Sequence, residues 1–396
     1  MAVVLGLITA VGPFAIDMYL PSLPTIGGNL HASATAVQMS MTVFFATLGV
    51  CQLLYGPLSD IVGRKSPIYA GLIIFFIGSI GCALAPSISM LVGFRAVQAL
   101  GACAGMVIPR AIVRDLHTGP DAARLMSLLM LTVSISPILA PLSGSLVLEV
   151  TGWRGIFGVL AVASIIAFAI ALLQLPETRS VEERAGSSWR GSLGSYRRLL
   201  MDPAFMGLVF AGACGISAFF VFIASASFVY IDHYGLSQTE FSLLFAVNAV
   251  SFFGCSQLTG MLATRFGLVA VVRVAVTGFA LAMCIGAALI VSGFDSMPVL
   301  IISLFVGYGC LGLVLPSTAV LALEKHGTIA GTASALMGSV QMVTGAAFMG
   351  VSGMFASQGP KPMILGIAIA AVCAFVVAQT ALLAAPAHQR TATTAG

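Results

Sequence analysis

Twelve apolar runs, each long enough to cross a bilayer, leave this chain little freedom to fold as anything but a membrane protein. A membrane-crossing helix needs about 20 mostly apolar residues. Such runs lie near 2–23, 36–58, 66–86, 88–110, 125–148 and 155–175, then near 204–231, 241–263, 268–292, 297–322, 328–355 and 361–384. Between the two sets stands the longest polar stretch, "PETRSVEERAGSSWRGSLGSYRRLLMDP". Of 396 residues, 59% are hydrophobic and only 8% charged, against about 25% charged in a soluble domain. Lipid is therefore the solvent for most of the surface. The expected fold is an all-α membrane protein of about twelve transmembrane helices in two six-helix bundles, 1–175 and 204–396, joined by a cytoplasmic linker at 176–203. The first run has no basic leader region and no A-x-A site, so it reads as a span and not as a cleaved signal.

Basic residues in loops set the orientation. Arg64, Lys65, Arg110, Arg114, Arg124, Arg179, Arg184, Arg190, Arg197, Arg198, Arg265, Arg273, Lys325 and Arg390 fall on one side; only Arg154 and Lys361 fall on the other. The richer side, with both termini, is expected in the cytoplasm. In the linker the cations alternate with Glu177, Glu182 and Glu183, a solvated connection near anionic headgroups and not a nucleic-acid arm.

Other function classes find no support. The eight cysteines stand singly in apolar runs without metal-ligand spacing, so they read as small packing residues, with no metal site. "GYGCLG" fits a dinucleotide glycine pattern formally, but it lies inside an apolar span with no preceding strand. His31, His233 and His326 sit in loops, away from any convergent catalytic set, so no enzyme and no cofactor are expected. Gln52, Gln98, Asn248 and Gln341 lie within spans, where interhelical hydrogen bonding is the ordinary role.

The halves echo each other: Gly56, Leu58 and Gly63 after the second span recur as Gly260, Leu262 and Gly267 after the eighth, as in a transporter built from repeats. "GPLSDIVGRK" resembles the G-x-L-x-D-x-x-G-R-K loop of the major facilitator superfamily, and "LVGFRAVQALGA" its L-x-x-x-R-x-x-Q-G signature, with Ala99 in the glycine position. "SPILAPLSGS" resembles the antiporter motif of its fifth helix: Pro141 and Gly144 match, Pro137 precedes them, and Ala140 and Ser145 replace glycines. "AIDMYLPSLP" and "IVRDLHTG" are similar to the bicyclomycin/chloramphenicol-resistance (Bcr/CflA) branch of drug:proton antiporters. The resemblance implies a monomeric exporter in the bacterial inner membrane that exchanges small drugs for protons. A proton-coupled importer of a small metabolite is the alternative on the same fold.

Asp17, an acid inside an apolar span, costs about 2.5 kcal/mol or more to insert. It is the candidate proton carrier, because burial and a nearby cation push a carboxyl's protonation in opposite directions. Arg95 is the candidate cation. At 1.5 Å per residue, Asp17 lies about 22–24 Å along its span and Arg95 about 9 Å in from the opposite surface, similar depths in a core about 30 Å thick. Phe14, Met18, Tyr19, Phe219, Phe220 and Phe222 are expected to join them around substrate. In the gating loop, Gly56 and Gly63 would permit turning and close approach. Asp60 would accept from a helix N-terminus, and Arg64, beside Lys65, would bridge Asp60 and Asp115. The resemblance implies that this cluster latches the inner face shut against the eleventh helix.

Overall fold

A computed structural model describes residues 1–117, 119–185, 188–355 and 359–384; Arg390 lies outside them. All regular structure among these residues is helical. The chain opens with α1 (Ala2–Asp17), a 3-10 turn (Leu20–Ser22) and α2 (Leu23–Asn29), which together form one crossing. Next come α3 (Ala34–Val62), α4 (Lys65–Ala83), α5 (Ile88–Leu116) and the long α6 (Gly119–Gln174). The polar stretch carries the short α7 (Val181–Ala185) and α8 (Trp189–Leu200). The rest of the chain is α9 (Pro203–Ser227) with a π-helical end (Phe228–His233), α10 (Gln238–Gln257), α11 (Thr259–Phe266), α12 (Leu268–Val291), α13 (Met297–Leu323), α14 (Ala330–Gly353) and α15 (Pro360–Ala384).

Eleven continuous helical stretches are long and apolar enough to cross a membrane, and one of them, Arg124–Gln174, is 51 residues long. That is about twice what one crossing uses. It breaks at Gly152, whose φ of 72° and ψ of 179° are not helical, so the described residues hold twelve candidate crossings. Every one of the twelve apolar runs coincides with a crossing.

The chain forms two compact units: Met1–Gly194 with Ser227–Ala246, and Ser195–Ala226 with Val247–Gly396. In the first, Ser33 and Ser87 cap α3 and α5 through their hydroxyls. Gly144 lets the fifth span approach the first so closely that a Cβ there would overlap the Met18 carbonyl oxygen. In the second, α13 brings the glycines of "GYGCLG" against Met283, Ser251 and Phe252, which is helix packing and no phosphate cradle.

The internal echo has a backbone counterpart. Gly63 ends α3 at φ 96° and Gly267 ends α11 at φ 81°, both in the region that side chains avoid. The structure corrects the reading of Gly56: it lies inside α3, and a Cβ there would meet no atom within 4 Å. The loop is only Gly63–Arg64, because the residues before it satisfy their backbone groups as helix.

Gly63 and Gly152 offer a test of what holds that loop. Each sits where a side chain costs about 1–3 kcal/mol in backbone strain, but a Cβ at Gly63 would also run into Glu177 and Arg184. Gly63→Ala is therefore expected to lower the thermal midpoint in detergent more than Gly152→Ala does. Equal shifts would show that Glu177 does not press on the loop.

Candidate functional site

The α-helical ladder of the first crossing gives way to a 3-10 turn just after its acid, with the backbone still right-handed helical. α1 contains Pro13 and stops at Asp17, Pro21 starts a 3-10 turn and Pro24 follows in α2. Each proline removes an N–H and so frees a carbonyl. Lipid offers such groups no partner, so a broken helix is tolerated only where protein or an aqueous cavity surrounds it. Residues 15–23 are all buried, and the Ser22 hydroxyl donates to the Tyr19 carbonyl at 2.7 Å.

Asp17 is 4% exposed, and its Oδ2 accepts a hydrogen bond from Ser136 Oγ at 3.0 Å. Ser136 stands on the fifth span, immediately before Pro137. Arg95, fully buried on α5, does not pair with Asp17. One guanidinium nitrogen donates to the Ala15 carbonyl at 3.0 Å and to Gln98 Oε1 at 2.7 Å, and the other to Met41 Sδ at 3.4 Å. Its charge lies over the rings of Phe44 and Tyr19, 4.1 and 4.6 Å from their centroids. Gln98 passes the chain on to Ser79 at 2.9 Å, and Tyr19 shares a hydrogen bond of 2.9 Å with Ser40. The two ionisable groups thus share a layer through the backbone of α1 without an ion pair. Two polar groups remain unpartnered nearby: Arg95 Nε, and the whole amide of Gln38, one turn before Met41.

The expected substrate residues divide by unit and by face. Met18 and Tyr19 are buried beside Asp17, and Phe14 is half-buried. In the other unit Phe219 and Phe222, one helical turn apart, gather with Phe252 and Tyr308 at centroid distances of 5.4–6.3 Å. Phe220 points elsewhere, onto Gly345, where its ring takes the space of a Cβ. Asn248 departs from the expected interhelical bonding, since neither atom of its buried amide has a partner.

The polar end of α3 holds the densest charge cluster. Arg64, 3% exposed, binds Asp60 at 2.7 Å and grips Asp115 with two nitrogens at 2.8 and 3.3 Å. These are the three residues expected to meet. Lys65 instead lies over the Tyr69 ring at 5.7 Å. The helix N-terminus is not capped by Asp60 but by Glu177 of the linker, which accepts from the backbone N–H of Arg64 at 2.9 Å and of Lys65 at 3.3 Å. Asp60 is already engaged by Arg64 four residues on. Arg179 adds a contact to Asp60 at 3.3 Å, Thr178 donates to Asp115 at 3.1 Å, and Arg184 pairs with Glu177 at 3.3 Å. Burial would lower the Arg64 pKa, but the carboxylates of Asp115 and Asp60 outweigh it and push the value up. At Glu177, partial burial is outweighed by the backbone N–H groups of Arg64, Lys65 and Arg179 and the charge of Arg184, which hold its carboxyl below the usual range.

Twelve crossings, a first helix interrupted just after a buried acid and a charged clasp at one membrane face define a multi-pass transport protein. The sequence profile of the Major Facilitator Superfamily matches residues 5–349, and the chain belongs to that family, in its bicyclomycin/chloramphenicol-resistance branch. It is 38% identical over 353 residues to an uncharacterized MFS-type transporter, YdgK, of Bacillus subtilis, covering 87% of this chain and 86% of that one. It is 30% identical over 345 residues to a bicyclomycin resistance protein homolog of Haemophilus influenzae, covering 86% of each. Among solved structures, a D-xylose–proton symporter superposes with a TM-score of 0.74 over 97% of both chains at 16% identity, a likeness of fold.

Ser136, Ser40 and Tyr308 were not singled out from sequence, and Glu177 and Arg179 were read only as linker charges. Only Glu177 carried a signal: it follows Pro176, where the sixth apolar run ends. A carboxylate with a depressed pKa stabilises the fold above its ordinary value of 4.5, and that contribution is lost as pH falls through the lower folded value. Glu177→Gln is therefore expected to lower the thermal midpoint at pH 7, with the gap to wild type closing below pH 4.5. A gap that persists in acid would mean that its charge is not what stabilises the loop.

Proposed function

We propose that this protein exports small, largely apolar drugs from the cytoplasm in exchange for protons, by alternating access in the bacterial inner membrane. The observation that carries the reading is Asp17: a buried carboxyl where α1 gives way to a 3-10 turn, held by a neutral hydroxyl and by no cation. A group so placed can be neutral or charged without dismantling an ion pair. The relative named for bicyclomycin resistance supports a drug as the cargo. One proton moving down about 100 mV and one pH unit supplies roughly 3.7 kcal/mol, which sustains a drug gradient of a few hundredfold.

In this proposal Asp17 carries the proton and Arg95 is a positioning residue that fixes α1 through the Ala15 carbonyl. Phe14, Met18 and Tyr19 contribute drug contacts from the N-terminal bundle, 1–175, and Phe219 and Phe222 from the C-terminal bundle, 204–396, where Phe220 instead packs on Gly345. Gly63, Arg64, Asp60 and Asp115 form the inner latch, with Lys65 alongside, and Pro137, Pro141 and Gly144 shape the fifth helix for coupling. The linker, 176–203, and both termini lie in the cytoplasm, and the transporter acts as a monomer.

Asp17→Asn keeps the shape and the bond to Ser136 but cannot titrate. It is expected to abolish drug-driven proton movement in inside-out vesicles while retaining some drug binding. Uphill efflux by the variant, with wild-type pH dependence, would make Asp17 a structural acid. Proton-driven uptake of a metabolite by intact cells, with no response to any drug, would favour the importer instead.

Orientation is tested separately. On a cysteine-free background, a cysteine at Ser33 should react in intact cells with an impermeant thiol reagent, and one at Ser188 should not. The reverse pattern would invert the topology.

A further inference from the structure

Arg110 counts in the sequence among the basic residues of one membrane face, yet it stands inside α5, six residues before the last, Leu116, and about 9 Å in from that end. Two neighbours on the same helix fix its direction. Four residues earlier, Met106 lies against Gly12 of α1. Seven residues earlier, the Cys103 thiol donates to the Leu48 carbonyl of α3 at 3.7 Å. At about 100° per residue, Arg110 falls between them, about 40° from Met106 and about 20° from Cys103. It therefore points into the wedge between α1 and α3 and not outward to lipid. The helices α3 and α5 run the same way, since Leu48 meets Cys103 and Arg64, just past α3, meets Asp115. Leu48 to Tyr55 repeats the seven-residue step from Cys103 to Arg110, so Tyr55 walls the wedge at the level of Arg110.

Arg110 is exposed, and at the same time the protein packed around it desolvates it, the combination that a recess produces. Its Nε donates to the Met106 carbonyl at 3.0 Å. The guanidinium has no ion pair among the described residues, and the ionisable groups close enough to act on it are the Cys103 thiol and a second exposed cation, Arg114. The acids of that membrane face are taken, because Asp60 and Asp115 both hold Arg64. Further in, Asp17 is the sole acid in the twelve apolar runs, and Ser136 binds it. A recess lined by one sign of charge within low-dielectric walls concentrates ions of the other sign. Here that sign is negative.

We propose that Arg110 selects the charge of the cargo: it draws an acidic drug, one carrying a carboxylate or phenolate, into the wedge between α1 and α3 and turns organic cations away. Arg95 cannot serve this purpose, because its guanidinium is spent on Ala15, Gln98 and Met41. The rival is an organic cation that competes with the proton for Asp17, and a free guanidinium in the wedge works against it. In the proposed arrangement the two unlike groups divide the work, the proton going to the acid and the anion to the cation. One proton entering as one monoanion leaves moves two charges in the same electrical sense, so the membrane potential drives both halves of the exchange. The proposal refines the export reading and rests on it.

Tetraphenylborate and tetraphenylphosphonium, alike in size and shape and opposite in charge, are the probes. Equilibrium dialysis of the whole protein in a nonionic detergent, corrected for protein-free micelles, should show tighter saturable binding of tetraphenylborate by wild type. Arg110→Gln should weaken tetraphenylborate roughly tenfold, the effect of one charge a few ångströms away in a partly solvated site, and should not weaken tetraphenylphosphonium. Arg110→Lys should keep the preference, and Arg110→Glu should reverse it. Tighter binding of tetraphenylphosphonium by wild type, saturable binding of neither ion, or an undiminished preference in Arg110→Gln would overturn the proposal. The measurement uses no proton gradient, so it can fail while Asp17 still carries the proton, and succeed where Asp17 does not.

Discussion

A backbone in lipid must satisfy its own polar groups, and the structure of the first crossing follows from that demand. Pro21 and Pro24 interrupt the α-helical ladder after Asp17, while α1 runs on through Pro13. The interruption can exist only because neighbouring helices close over it, and the Ser22 hydroxyl adds a second donor to the Tyr19 carbonyl beside the Ser22 N–H. Arg95 serves the same end from α5, since its bond to the Ala15 carbonyl satisfies an acceptor near the end of α1. Its own charge is offset by Gln98 and two aromatic faces. A buried cation here is thus a backbone partner before it is anything electrostatic.

At the other end of the bundle the logic is reversed, because charges there gather with opposite charges. Arg64 is buried as deeply as many core residues, which is tolerable only because Asp60, Asp115 and Ser59 occupy its nitrogens. The linker is part of this arrangement and not a loose tether. Glu177 uses both oxygens to cap α4, a hundred residues earlier in the chain, and Thr178 and Arg179 reach the same two acids as Arg64.

The crossings were legible because an apolar run of sufficient length has no soluble alternative; that the fifth and sixth join with only a break at Gly152 came from the backbone. The grip of Arg64 on Asp60 and Asp115 was legible because three charged residues at one membrane face have few other ways to be neutralised. What failed was direction around a helix axis. Rise per residue gave Asp17 and Arg95 the same depth, and the structure keeps them in one layer, but depth does not fix azimuth, so the cation meets Ala15 and Gln98. The same limit divides Phe220 from Phe219 and Phe222: one residue turns the side chain by about 100°. Gly56 misled because a glycine in a helix interior looks the same in sequence as one in a turn. Glu177 was hidden by its separation from Arg64 along the chain, which no local pattern spans.

Gly144 has a mechanical implication. With no Cβ there, the fifth crossing rests against the Met18 carbonyl, while Ser136 on that same crossing holds the carboxyl of Asp17. The fifth helix thereby holds two adjacent residues of the first, Asp17 by a hydrogen bond from Ser136 and Met18 by the steric contact at Gly144. Where both contacts persist through a swing of the bundle, the pair moves as one lever and the acid carries its immediate environment with it. A transport cycle built on this lever would change which aqueous side reaches Asp17, and not the partner to which Asp17 is bound.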